Sequence, residues 1–256
     1  MISQTIYQKS DHKWLAFGQD PNKPERLIDT NQIVITSGDA AIVLDPGGIE
    51  IFPPMLAALT NEIPIENVKH LFMSHQDPDI GSSLPLWRQV CNEDVNIHLS
   101  WLWTSFVAHF DAEANITPIP DEGMSVQLSP NVTLQFIPAH YMHSSGNFSV
   151  YDPSAKILWS GDIGAALMPT HQPGDFFVDD FNGHIQYMEG FHRRWLGSKR
   201  ARDAWISTVG KLSIDIITPQ HGLFFKGEDV QRFLDWLSHL DIGSGLDSMG
   251  GNYGED

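Results

Sequence analysis

Ser74-His75-Gln76-Asp77-Pro78-Asp79-Ile80-Gly81 follows the apolar run Leu71-Phe72-Met73 and leads into Gly81-Ser82-Ser83. The run has the length and composition of a buried strand, and Gly81-Ser82-Ser83 that of a helix start. The loop between them therefore lies at the carboxyl end of a strand, where open α/β sheets bind their ligands. His75, Asp77 and Asp79 alternate along it. An extended loop with that spacing can serve two metal ions, because alternate side chains need not converge on one point. The competing reading is a polar turn whose Asp-Pro-Asp only breaks the strand.

Three further strand ends carry side chains of the same kind. Ile137-Pro138-Ala139 runs into His140-Tyr141-Met142-His143-Ser144, Ile157-Leu158-Trp159 into Ser160-Gly161-Asp162, and Ile216-Ile217-Thr218-Pro219 into Gln220-His221-Gly222. One histidine at a strand end is an ordinary structural residue. Four successive strand ends delivering His or Asp to one rim form a candidate metal centre.

The remaining pattern alternates strands and helices in two mixed halves. Ile6 to Phe17 suggests a strand pair. Gln32 to Thr36 and Ala40 to Leu44 flank the hairpin signal Ser37-Gly38-Asp39. Asp45-Pro46-Gly47-Gly48 ends the second of these strands, and Asp45 is either a turn residue or an orienting partner of the site. A short helix is predicted at Met55 to Leu59, a helix through Leu86, Trp87 and Val90, a strand at Asn96 to Leu99, and an aromatic helix from Trp101 to Phe110. Strands follow at Val126 to Leu128, Val132 to Ile137, Phe148 to Tyr151 and Lys156 to Trp159. Gly164 to Asp180 reads as a long irregular loop with the character of a lid, in which His171 could reach the pocket. One or two helices fall in Ile185 to Leu212, a last strand at Ile214 to Ile217, and a last helix through Val230, Phe233, Leu234 and Leu237. The fold class expected is an α/β sandwich of two mixed sheets with outer helices: a single domain over residues 1–241, then a flexible glycine-rich tail over 242–256.

Composition narrows the partners. With 15 basic and 32 acidic residues among 256, the formal charge is 15 − 32 = −17, which argues against nucleic acid or an anionic membrane. The lone Cys91 excludes an internal disulfide and cysteine-based metal sites. No apolar run approaches the ~20 residues of a membrane span, and Met1 to Ser10 lacks the order of a signal peptide. A cytoplasmic protein is the expectation. Arg193, Arg194, Lys199, Arg200 and Arg202 cluster on one segment, either a solvated helix face or a dock for an acidic redox protein.

With these residues in view, the chain resembles the metallo-β-lactamase fold superfamily from Asp45-Pro46-Gly47 to His221-Gly222. Most hydrolases of that superfamily carry His-x-His-x-Asp-His; here Asp77 stands at the second His and Ile80 at the last. His75-x-Asp77-x-Asp79 is similar to the His-x-Glu-x-Asp pattern of flavodiiron proteins and related oxygen-binding di-iron proteins, and His143, Asp162 and His221 agree in order. The segment from Tyr187 through Arg194 to Trp205 is similar to the helical part of that family. The resemblance implies that His75, Asp77 and His143 hold one iron and Asp79 and His221 the other, with Asp162 bridging. His143 is preferred over His140 because Ser144, Ser145 and Gly146 follow it as in the family. His140 and Tyr141 are candidates for supporting roles.

Oxygen-rich ligation favours iron or manganese over zinc, and Ile80, unable to ligate, leaves a position open at the second ion. No flavodoxin domain or FMN site follows the last helix in this sequence. A separate electron donor is then needed for turnover, or dioxygen is bound without turnover; nitric oxide and peroxide are other small ligands of such sites. A homodimer is implied by resemblance alone. The alternative function is a dinuclear hydrolase of an ester or phosphodiester.

Overall fold

The computed structural model describes residues 1–92, 94–169 and 174–249. β1 (Ile2–Lys9), β2 (His12–Gly18), β3 (Gln32–Ser37) and β4 (Ala40–Leu44) form an antiparallel meander. β5 (Val68–Phe72), β6 (Asn96–Ser100) and β7 (Ile116–Ile119) extend it in parallel, giving a sheet of seven strands. In the second sheet, of six strands, β8 (Met124–Ser129), β9 (Val132–Pro138), β10 (Phe148–Asp152) and β11 (Ile157–Gly161) are antiparallel neighbours. β12 (Ile216–Pro219) joins β11 in parallel, and β13 (Phe225–Lys226) closes the edge.

Helices cover both outer faces. α1 (Phe52–Leu59), α2 (Pro78–Gly81), α3 (Leu84–Val90) and α4 (Thr104–Val107) belong to the first half. α5 (Phe181–Trp195), α6 (Lys199–Val209) and α7 (Glu228–His239) belong to the second. Three apolar layers hold the four structural layers together. Trp14, Ile35, Ile42 and Phe72 meet Phe136, Phe148, Val150 and Trp159 between the sheets. Val43, Leu71 and Ile97 pack against Met55, Leu59 and Trp87 of the first helical face. Leu158 and Ile217 pack against Met188, Trp205, Phe233 and Leu237 of the second. Each strand near the centre is thus buried on both faces, which explains its unbroken apolar runs.

One polar tie crosses the inter-sheet layer. The fully buried Asp152 of β10 accepts from Trp14 Nε1 at 2.8 Å, pairs with His12 Nε2 at 2.8 Å, and caps its own turn through the N–H groups of Ser154 and Ala155. An Asp152→Ala chain leaves these buried donors without an acceptor. It is expected to lose roughly 3–5 kcal/mol of stability, read from the denaturant midpoint.

The sequence-predicted elements are present, with differences at the aromatic helix, at the unpredicted edge strands β7 and β13, and in the Gly164 to Asp180 loop. The Trp101 to Phe110 helix is only a 3-10 turn (Trp101–Trp103) followed by α4, and Trp101 and Phe106 are exposed. β7 went unpredicted because Pro118 reads as a strand breaker; it is tolerated since β7 is an edge strand. The loop from Gly164 to Asp180 is pinned where it is described: Phe176 is buried and stacks on Phe224, and Val178 N–H bonds to the Phe224 carbonyl at 3.0 Å. His171, and residues 250–256 of the expected tail, lie outside the described residues. Ser244–Ser248 forms a 3-10 turn, and the Gly243 N–H before it donates to the Arg193 carbonyl at 2.9 Å.

Cys91 is buried and its thiol is pushed up to about 12 by burial, as an inert core residue should be. The basic cluster is largely paired within the chain: Arg193 with Glu189, Lys199 with Asp241, and Arg202 with Asp203 and the Leu240 carbonyl. Among the described residues, no helix is long and apolar enough to cross a membrane.

Candidate metal centre

Parallel pairing places the carboxyl ends of β4 and β5 side by side, and likewise those of β11 and β12. The segments that leave these ends, with the loop after β9, meet at one rim. Phe148 N–H donates to the Ser74 carbonyl at 3.1 Å, and Gln220 N–H to the Gly161 carbonyl at 2.8 Å, stitching the rim together. Gly161 has φ +58°, and a Cβ there would sit 3.2 Å from Ser74 Oγ. A glycine is therefore needed for the Asp162 loop to approach the His75 loop.

All six sequence-predicted ligands come together. Asp77 Oδ2 lies 3.0 Å from His143 Nε2 and 3.4 Å from His75 Nε2. Asp79 Oδ2 lies 3.3 Å from His221 Nε2. Asp162 stands between the two groups. Its Oδ2 is 3.7 Å from His75 Nε2 and 3.6 Å from His143 Nε2, while its Oδ1 is 3.5 Å from His221 Nε2. The two oxygens of one carboxylate thus face two different sets of donors. His75, His143 and Asp162 alone bring three ligand atoms within 4.8 Å of one another.

Neighbours fix which imidazole nitrogen faces the centre. Ser74 Oγ donates to Asp45 Oδ2 at 2.7 Å, so it accepts from His75 Nδ1–H at 2.9 Å. Asp45 is held in turn by Ser74 N–H at 2.6 Å and Trp159 Nε1 at 3.1 Å. His221 Nδ1–H donates to the Asp29 carbonyl at 2.8 Å. In both rings Nε2 is the nitrogen turned inward, the arrangement that outer partners impose on metal-binding histidines. His192 holds the Asp162 loop from behind: its Nδ1–H donates to the Met188 carbonyl and its Nε2 accepts from Gly164 N–H at 2.9 Å. Burial pushes that imidazole down to about 4, so it stays neutral in this role.

The electrostatics fit a cation site. Burial opposes charge on His75 and His221, yet Asp162, with Asp77 and Asp45 at one ring and Asp79 at the other, pushes both imidazoles up to about 9. Burial also opposes the charge of Asp77, but its bond to His143 and the nearby His75 hold its carboxyl far below the usual range; Asp79 is lowered likewise by His221. Asp45, fully buried, is pushed up to about 6 by desolvation. His75 Nε2 and Asp162 Oδ1 are buried without a hydrogen-bond partner, a costly state for polar atoms unless a ligand occupies them. The backbone is left-handed at Asp45 (φ +50°), Tyr141 (φ +62°) and His143 (φ +78°), and strain of this kind concentrates at functional sites.

The other candidates fall outside this group. His140 Nε2 is bonded to the Asp121 carbonyl at 2.8 Å and its ring packs edge-on to Phe148. Tyr141 is 64% exposed. Ile80 is wholly buried in the apolar layer beneath the first helical face and offers nothing to the centre. Sequence reasoning missed Ser74, Gln76, Asp29, Gln220 and His192. Only their adjacency to His75 and His221 could have flagged Ser74, Gln76 and Gln220. A cavity of about 480 Å³ opens over the centre, walled on its apolar side by Leu27, Ile28, Ile51, Phe191 and Trp195. Phe191 is tilted towards His143 at 5.9 Å between ring centres and stacks on Trp195 at 5.0 Å.

The fold that carries these residues is shared with known proteins. The structure titled peroxy diiron species of chemotaxis sensor ODP is similar over 97% of this chain and 98% of its own, at 35% identity and a TM-score of 0.85. The apo state of chemotaxis sensor ODP from T. denticola is 36% identical over 97% of both chains, with a TM-score of 0.85. A variant of the flavo di-iron protein from Thermotoga maritima shares the fold at 19% identity and a TM-score of 0.79, over 93% of this chain and 60% of that one. No curated protein matches at the sequence level. The family model described as ODP family beta lactamase matches residues 28–222, and the chain belongs to that family.

Proposed function

We propose that this chain is a non-haem di-iron protein that binds dioxygen, acting as an oxygen sensor rather than a hydrolase. The observation that carries the reading is Asp162, whose two oxygens face two separate donor sets within a group of three His and three Asp. His75, Asp77 and His143 with Asp162 Oδ2 would hold one ion, and Asp79 and His221 with Asp162 Oδ1 the other. Three carboxylates offset most of the charge of two divalent cations, and their hard oxygens suit iron or manganese better than zinc. When bound, a ferrous pair supplies both electrons and an open coordination position for a small diatomic ligand.

The protein side chains account for that openness. Ile80 turns into the core, so the second half-site has fewer protein donors than the first. The approach is apolar along Phe191, Trp195 and Ile28, a surface suited to an uncharged gas. It offers Arg26 as a basic side chain at the rim, too little for a phosphodiester groove. The 35% identity to a chemotaxis sensor supports signalling over turnover. Under this reading an electron donor is a separate protein, needed only to restore the ferrous state.

Metal analysis of protein expressed without added zinc, beside visible spectra taken anaerobically and after admitting air, tests the proposal. About two irons per chain and a band that appears only with air are expected. Zinc at full occupancy with phosphodiesterase turnover would overturn it. The Asp77→His chain checks the same chemistry: replacing a hard oxygen by imidazole is expected to raise the zinc-to-iron ratio about tenfold in equal-metal competition.

A further inference from the structure

Two glutamines, each the sequence neighbour of a centre histidine, reach across to the carboxylates. Gln76 Nε2 donates to Asp77 Oδ1 at 3.1 Å, while its Oε1 accepts from Ser144 Oγ at 2.8 Å. The amide orientation is chemically forced, since an ionised carboxylate only accepts. Asp77 therefore has its outer oxygen occupied, and Oδ2 alone faces His75 and His143. The same amide ties the loop after β5 to the loop carrying His143. Gln220, fully buried, donates through Nε2 to Asp79 Oδ2 at 3.3 Å and approaches the Asp79 carbonyl at 3.5 Å. It ties the β12 loop, with His221, to the other end of the β5 loop.

Resting on the di-metal reading above, we propose that Gln76 and Gln220 are positioning residues, one for each half-site. Gln76 fixes Asp77 as a one-oxygen donor for the ion shared with His75 and His143. Gln220 fixes Asp79 for the ion shared with His221. Because the two braces act on different carboxylates, they control the two affinities independently, and only Asp162 couples them.

The test titrates ferrous ion anaerobically into the full chain and reads each binding step by calorimetry. Gln76→Met and Gln220→Met keep the side-chain length without the amide, and circular dichroism with thermal unfolding in chelator checks that each folds. Loss of an outer partner typically costs 10–100-fold in metal affinity. Each variant is expected to lose about that factor at one step while the other step stays within about twofold. In an Asp79→Ala background, which lacks the second half-site's carboxylate, the surviving step should weaken with Gln76→Met and not with Gln220→Met. A merely structural role would lower both steps together, and that result overturns the inference, as does wild-type affinity in both variants. A wild-type chain that takes up no metal overturns the di-metal reading, and the inference with it.

Discussion

An Asp162→Ala chain is expected to emerge from gel filtration with neither ion, whereas Asp79→Ala retains one. Every other ligand candidate serves one half-site, but Asp162 faces His75 and His143 through Oδ2 and His221 through Oδ1. Its removal takes a direct donor from both ions at once. It also removes a negative charge placed between both donor sets. Losing an outer partner alone costs about 10–100-fold in affinity, so losing a shared direct donor is expected to exceed about 100-fold at each half-site. Elemental analysis after removal of free metal reads the result. The Asp162→Asn chain keeps the shape and one carbonyl oxygen, and is expected to retain one ion at most. Two tightly held ions in Asp162→Ala would show that the bridge is not where the geometry puts it.

Much of this centre was legible because its ligands sit where apolar runs stop. Leu71 to Met73, Ile157 to Trp159 and Ile216 to Ile217 each announce a buried strand, and the first polar residues beyond each must lie at a strand end. What periodicity cannot encode is the supporting shell. The Asp29 carbonyl that orients His221 lies 192 residues away along the chain, and no sequence pattern links a backbone oxygen to a distant imidazole. Gln76 and Gln220 read as generic loop polarity until the bond directions to Asp77 and Asp79 are known. Asp45 was ambiguous because a strand-end turn and a buried relay use the same residue; its place under Ser74 and Trp159 resolves it. Two edge strands were hidden for opposite reasons: β7 contains Pro118, and β13 is two residues long.

Metal uptake is expected to weaken steeply as pH falls from 8 to 6. In the metal-free chain His75 and His221 are pushed up to about 9, so both carry a proton at neutral pH. Ligation needs the Nε2 lone pair, and each ion must displace one proton. Below about pH 9 each affinity then falls about tenfold per pH unit, and the pair's combined constant about 100-fold. Asp77 and Asp79 do not add to this slope, because their lowered carboxyls stay ionised throughout the interval. Calorimetry in two buffers of different ionisation enthalpy should count about two protons released per chain at pH 7. Stability of the metal-free fold runs the opposite way. A histidine raised above its unfolded value of 6.5 stabilises the metal-free fold below that pH, and the contribution disappears as pH rises through about 9. The metal-free Tm should therefore decline from pH 6.5 to 9 while the increment on adding ferrous ion grows over the same interval. An increment independent of pH would mean that the inward nitrogens hold no protons to displace, and that carboxylate charge around them is balanced in some other way.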